Sequence, residues 1–204
     1  MKKERGVIVA VYGMNNIGKS SVLAGVKEEF SKSGLSVACI KYPIYDSPTG
    51  KEINAYLREG NPKGLSALDA QKKFAENRFV NEPKLVETSR RCDLTILEDY
   101  FGTGIAWGEL AGIKRRILMN INRGLLIPDV SILLDGERFK KAAEKNHMHE
   151  GLPDETWNKG REIHKQLANK YGWRVVSVVN GELDREIRDV YEIINSEIAT
   201  RQYV

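Results

Sequence analysis

The segment Gly13-Met14-Asn15-Asn16-Ile17-Gly18-Lys19-Ser20, followed by Ser21, has the spacing G-x-x-x-x-G-K-S. Its glycines let the backbone curl until successive N–H groups converge, an arrangement that cradles the phosphates of a nucleoside triphosphate. Lys19 is placed to reach the terminal phosphates, and the Ser20 hydroxyl can ligate magnesium. Glu98-Asp99-Tyr100 puts two carboxylates at the end of an apolar run. Carboxylates there can hold magnesium waters or position an acceptor group. An acidic strand end answering helix-terminal charge is the alternative. Phe74 and Arg78 lie four apart, so on a helix an aromatic ring and a cation share one face. A core position for Phe74 is the alternative there.

These residues need elements to hold them. Five short, β-branched-rich apolar runs read as buried parallel strands: 7–12, 36–42, 94–98, 129–134 and 174–179. Helical patterns lie between them. The first covers about 19–33 and stops at Gly34, and its start gives the glycine loop its strand–loop–helix context. The second covers about 50–59, before Gly60-Asn61-Pro62. A long one begins near Ser66 and is kinked or restarted by Pro83. The fourth carries Ile105, Leu110, Ile113, Ile117 and Ile121 and ends at Gly124. Others cover about 153–171 and 184–198. This alternation predicts an α/β fold, a doubly wound five-stranded parallel sheet flanked by helices, as one domain over residues 1–204. Ligands then belong at the carboxyl ends of the strands.

Composition narrows the class. Of 204 residues, 41% are hydrophobic and 29% charged, as in a soluble globular protein. No apolar run approaches the ~20 residues that span a bilayer, so no membrane partner is expected. Met1-Lys2-Lys3-Glu4-Arg5 leads straight into the first strand and lacks the apolar stretch of a secretory signal. Cys39 and Cys92 are too few for a disulfide framework, which points to a reducing cytoplasm. His147 and His149 read as solvated surface histidines. The net charge of +4 is spread among acids rather than gathered with aromatics on one face, so no nucleic-acid partner is expected. A mild positive balance suits an enzyme whose two substrates are both polyanions.

Taken in order, these pieces resemble the thymidylate kinase family of the nucleoside monophosphate kinase group of P-loop enzymes, over nearly the whole chain. Tyr42-Pro43 with Ser47-Pro48-Thr49-Gly50 is similar to the family's Phe-Pro stretch and its Thr/Gly turn. Phe74-Ala75-Glu76-Asn77-Arg78-Phe79 is similar to its Phe-x-Ala-Asn-Arg-Trp helix. Glu98-Asp99-Tyr100, with Phe101 to Trp107, resembles its Asp-Arg-Tyr motif and the run after it, and Pro128-Asp129 resembles the Pro-Asp opening its fourth strand. The resemblance implies transfer of a phosphoryl group from ATP, with Mg2+, to a deoxynucleoside monophosphate, dTMP giving dTDP, within nucleotide biosynthesis. It implies a homodimer. It implies that Phe74 stacks on the base, that Arg78 binds the acceptor phosphate, and that Thr103, Gly104 and Trp107 shape the base pocket. Asn15, Tyr42, Pro43, Glu98 and Tyr100 complete the acceptor site, and Ser20 with Glu98 the metal site.

The chain departs from the family pattern at several positions. Asn15 stands where an acidic residue usually contacts the acceptor sugar, and Asn16 removes any arginine from the loop. Tyr45 and Asp99 stand where two arginines would meet the acceptor phosphate. A phenol or carboxylate does not replace a cation with bidentate geometry. Either Lys41 and Arg78 substitute, or the acceptor is another nucleotide or a nucleoside; a nucleotide-binding module without transfer activity is the remaining alternative. The segment 136–152 stands where the family has a lid. A lid cation is then expected from Lys141 or Lys145, four apart on one helical face, with Arg138 too near the strand end and Glu150 near the lid's close. A solvated charged helix is the alternative for that segment.

Overall fold

The computed structural model describes residues 5–139 and 148–202. Five strands, β1 (Val7–Tyr12), β2 (Val37–Lys41), β3 (Leu94–Glu98), β4 (Val130–Gly136) and β5 (Arg174–Val178), form one parallel sheet in the order β2-β3-β1-β4-β5. The helices are α1 (Lys19–Lys32), α2 (Pro48–Arg58), α3 (Ala67–Arg91), α4 (Phe101–Leu110), α5 (Arg115–Ile121), α6 (Asp154–Tyr171) and α7 (Leu183–Gln202). This is the doubly wound arrangement that the strand–helix alternation predicts.

Side chains alternate across the sheet and are apolar on both faces, which is why β1 reads as a continuous apolar run. Val7, Val9 and Val11 face a core completed by Val22, Val26 and Phe30 of α1 and by Val190, Ile194 and Ile198 of α7. Ile8, Ala10 and Tyr12 face the other way, toward Leu85 of α3, Tyr42, Tyr100 and Ala168 of α6. Because β2 and β4 lie on opposite sides of the β3–β1 pair, the chain leaving β1 and the chain leaving β3 diverge and open a crevice at their carboxyl ends.

Three local expectations are corrected. Pro83 does not restart the long helix, which continues from Ala67 to Arg91. Proline removes one helical hydrogen bond. Anchors on both sides offset that loss: Asn77 upstream is fully buried and Leu85 downstream is 0% exposed. The fourth helical pattern is two helices rather than one. Gly112 takes a positive φ of 85° and turns the chain between α4 and α5. Ile113 and Ile121 still pack with Ile105 and Leu118 in one cluster, so the apolar spacing survives across the break. The second helix starts at Pro48, two residues before the expected Gly50, because Ser47 caps it by accepting from the Gly50 N–H.

Candidate active site

A cavity of about 540 Å³ opens at the carboxyl ends of β1, β2 and β3. A larger concavity of about 1050 Å³ lies at the opposite end of β4 and β5, and none of the candidate site residues lines it. The smaller cavity is therefore the candidate site.

One side of it is the glycine loop. Gly13, Asn16 and Gly18 have φ of 147°, 63° and 86°, and this run of left-handed turns curls the loop. α1 starts at Gly18 without a side-chain cap, so its first N–H groups and its dipole are left for an anion. Lys19 is nearly buried. Its Nζ donates to the Gly13 and Met14 carbonyls at 3.0 and 2.9 Å and lies 3.6 Å from Asp99 Oδ1. Met14 and Ile17 turn their side chains into the core, and the Asn15 carbonyl accepts from Trp157 Nε1 of α6 at 3.3 Å. The chain after β4 latches onto the loop. The Phe139 N–H donates to the Asn16 carbonyl at 2.7 Å, and Asn16 Nδ2 donates to Glu150 Oε2 at 2.6 Å. Arg138 donates to the carbonyls of Glu150 and Leu152, so its guanidinium holds this latch.

Between the two sides lies a knot of oxygens. Ser20 Oγ donates to Glu98 Oε1 at 2.8 Å, and Lys41 Nζ sits 2.8 Å from the same oxygen. Asp99 has a φ of 60°, an unusual conformation for a non-glycine residue, and accepts from Thr103 Oγ1 at 2.9 Å. Burial pushes the Asp99 carboxyl above the usual range, and Lys19 opposes that shift. Among the described residues no group of three His, Cys, Asp or Glu could hold a metal. A hydroxyl beside a carboxylate nevertheless fits magnesium, which binds through one or two protein oxygens and takes its remaining ligands from phosphates and water.

The facing side is built around Arg78. Its guanidinium is buried, with only 3% of the residue exposed. Nη1 donates to Asn122 Oδ1 at 3.0 Å, Nε has no partner, and among the described residues no carboxylate is within ion-pair distance. Burial brings its pKa down to about 10. Gly104 makes room for it: a Cβ there would come within 2.7 Å of Arg78 Nη2. Buried Tyr42, beside Arg78, also has a hydroxyl without a partner, and burial pushes its pKa up to about 12. Phe74 is half-buried on the cavity wall, edge-on to Tyr56 at 6.3 Å, so it is a pocket residue rather than a core one. Trp107 lines the wall too and stacks on His149 at 3.9 Å.

The loop between β2 and α2 is clamped by Asn77, which is fully buried next to Arg78. Its side chain accepts from the Ile44 N–H and donates to the Ile44 carbonyl, Ser47 Oγ and Thr49 Oγ1, all within 3.0 Å. Arg58, on the last turn of α2, lies over the Tyr45 ring at 5.7 Å and lines the cavity.

The structure thus brings Asn15, Asn16, Gly18, Lys19, Ser20, Ser21, Tyr42, Pro43, Phe74, Arg78, Glu98, Thr103, Gly104 and Trp107 to one cavity. Gly13, Met14 and Ile17 of the loop do not line it, and neither does Tyr100. Tyr100 is fully buried behind the wall with its hydroxyl 3.4 Å from Glu82 Oε1, so it supports Tyr42 instead of facing a ligand. His149 is not a solvated histidine but half-buried against Trp107. Lys141, Lys145 and His147 lie outside the described residues. Sequence reasoning misses Arg58, Asn122 and the Trp107–His149 stack, because each joins the site from a distant segment with no spacing signal. Asn77 is the one that could have been found, since an amide beside a pocket arginine is a natural loop clamp.

The sequence profile of the family Thymidylate kinase matches residues 11–185. The thymidylate kinase of Arabidopsis thaliana is 24% identical over 196 residues, covering 92% of this chain and 72% of that protein. The 251L protein of Invertebrate iridescent virus 6, which carries the same kinase name, is 29% identical over 146 residues, covering 70% of this chain and 65% of its own length. The thymidylate kinase structure from Candida albicans superposes with a TM-score of 0.79 at 23% identity, over 95% of this chain and 94% of that one, which shows a shared fold.

Proposed function

The chain belongs to the thymidylate kinase family of ATP-dependent phosphotransferases, and on that premise we propose that the cavity moves the terminal phosphoryl group of ATP onto dTMP, giving ADP and dTDP. The observation that carries the reading is Arg78. A guanidinium buried without a counter-ion among the described residues is strongly unfavourable by itself, and an anionic ligand group offsets that cost. The acceptor phosphate is that group, and bidentate hydrogen bonds from Arg78 orient it.

Each remaining residue has a part. The glycine-loop amides and the start of α1 hold the donor phosphates, and Lys19 exchanges its two carbonyl partners for terminal phosphate oxygens. Ser20 and Glu98 hold the divalent metal, which neutralises charge on the donor phosphates when bound. Phe74 stacks on the thymine ring, while Trp107 and His149 wall the pocket. Asn15 reaches the acceptor sugar as an amide. Lys141 or Lys145 supplies the cation that closes over the transferring group, and closure keeps water from intercepting it.

The reading includes a homodimer, with Phe79 and Val80 of α3, 38% and 57% exposed, as apolar surface for it to cover. It includes a cytoplasmic setting. Among the described residues no helix is long and apolar enough to cross a membrane.

The test is a coupled ADP-release assay with ATP, Mg2+ and each of dTMP, dUMP, dGMP, dCMP and thymidine. Release stimulated by dTMP above all others is expected. Stimulation by a different acceptor moves the substrate, and the Tyr45 and Asp99 departures then mark why. No stimulation by any of them overturns the reading.

A further inference from the structure

Parallel pairing sets Lys41, the last residue of β2, directly beside Glu98, the last residue of β3. Lys41 Nζ lies 2.8 Å from Glu98 Oε1 and donates to Ser20 Oγ at 3.2 Å, while Ser20 Oγ donates to that same Glu98 oxygen at 2.8 Å. The ammonium therefore occupies the corner between the two oxygens assigned to the divalent metal. Two cations do not share that corner, because they would compete for one carboxylate oxygen at contact distance and repel each other.

Of the two charged partners, Lys41 is the more exposed. Its side chain is 52% exposed, against 10% for Glu98. Its backbone is fixed in the ladder, where the next N–H, that of Tyr42, donates to the Glu98 carbonyl at 2.9 Å. Rotation about its own side-chain bonds is the motion left to it. Lys41 lines the same cavity as Arg78, Tyr42 and Tyr45, so an ammonium displaced from the oxygens remains at the acceptor's side.

We propose that Lys41 is a placeholder cation: it holds Ser20 and Glu98 while no metal is bound, is expelled when the metal–nucleotide complex arrives, and then pairs with the acceptor phosphate. This rests on the phosphotransfer reading above. It also accounts for Tyr45 and Asp99 standing where cations would be expected, since one acceptor cation would be delivered only after the donor binds. Donor and acceptor binding are then coupled through one side chain, and the coupling is reciprocal.

Calorimetric titration of dTMP into the full chain holding a non-hydrolysable ATP analogue, with Mg2+ or with EDTA, tests the coupling. Paramagnetic resonance of Mn2+ titrated into the nucleotide-bound protein tests the competition. In the wild type dTMP should bind about tenfold more tightly with Mg2+ than with EDTA, within the usual range for coupled sites. Lys41→Met should reduce that ratio to about twofold or less and make Mn2+ bind severalfold more tightly, because the competing cation is gone. Lys41→Arg should keep most of the coupling and shows that the position tolerates substitution. Undiminished coupling in Lys41→Met, or Mn2+ binding unchanged or weakened, overturns the proposal. Failure of the phosphotransfer reading looks different: the wild type then shows no dTMP binding and no dTMP-stimulated ADP release.

Discussion

The two halves of the cavity, proposed to take the donor and the acceptor, are built on opposite plans. The donor half is one contiguous loop that works through backbone N–H groups and a helix terminus, which are available whatever side chains the loop carries. Asn15 and Asn16 therefore leave its curl intact, and the left-handed turns at Gly13, Asn16 and Gly18 are all present. The acceptor half draws on α2, α3, α4, the β2–α2 loop and residues 148–152, and it works through individual side chains. Tyr45 or Asp99 in place of an arginine alters it directly, and among the described residues the cations lining it are Arg78, Arg58 and Lys41. A backbone site tolerates sequence change; a side-chain site must be re-sourced when one member changes.

The harshest way to break the donor half is Lys19→Ala. Loss of the side chain that meets the transferring group should lower kcat by about 10³-fold. Circular dichroism should show the fold retained. Turnover near that of the wild type would sink the donor assignment.

Arg78→Met attacks the acceptor half. Removing one partner of a buried charge pair with substrate should weaken dTMP binding by about 3–5 kcal/mol. Without ligand, the same change should leave the melting temperature unchanged or raise it, because it removes a buried cation that has no counter-ion among the described residues. A clear drop in melting temperature with normal dTMP affinity would make Arg78 a structural residue.

Acid should act behind the donor half. His164 of α6 is 1% exposed, holds the Gly160 carbonyl through Nδ1 and has no partner at Nε2, and burial brings its pKa down to about 4. The unfolded chain takes up this proton near pH 6.5, whereas the folded chain resists it until about pH 4. Stability from keeping the ring neutral is therefore complete above pH 6.5 and is lost as pH falls toward 4, about 3 kcal/mol in all. Denaturant unfolding from pH 7 to 4 measures it, and His164→Gln should flatten the slope. An unaltered slope would assign the acid sensitivity elsewhere.

Phe74→Ala sharpens the comparison with the smallest effect. Losing a ring that stacks on a base should weaken dTMP binding by about 1–3 kcal/mol. ATP affinity should be unchanged and the melting temperature nearly so. A large fall in stability with normal affinity would return Phe74 to the core.

What the sequence by itself determined is whatever is local. The five strands follow from short apolar runs, as at Val7–Tyr12 and Leu94–Glu98, and the glycine loop from eight consecutive residues. The doubly wound class follows from alternation, and Phe74 and Arg78 share a wall because residues four apart on a helix meet. The tertiary structure decided the rest. It broke one apolar pattern into α4 and α5 at Gly112, which takes a positive φ that other residues adopt only with strain. It carried α3 through Pro83 because burial on both sides outweighs one lost hydrogen bond. It turned Tyr100 away from the cavity and His149 into it. It also set Lys41 beside Glu98 and Asn122 beside Arg78, across separations of 57 and 44 residues in the chain. Such contacts come from strand order and helix packing, which no spacing along the chain encodes, and they decide which charges in the cavity are already paired.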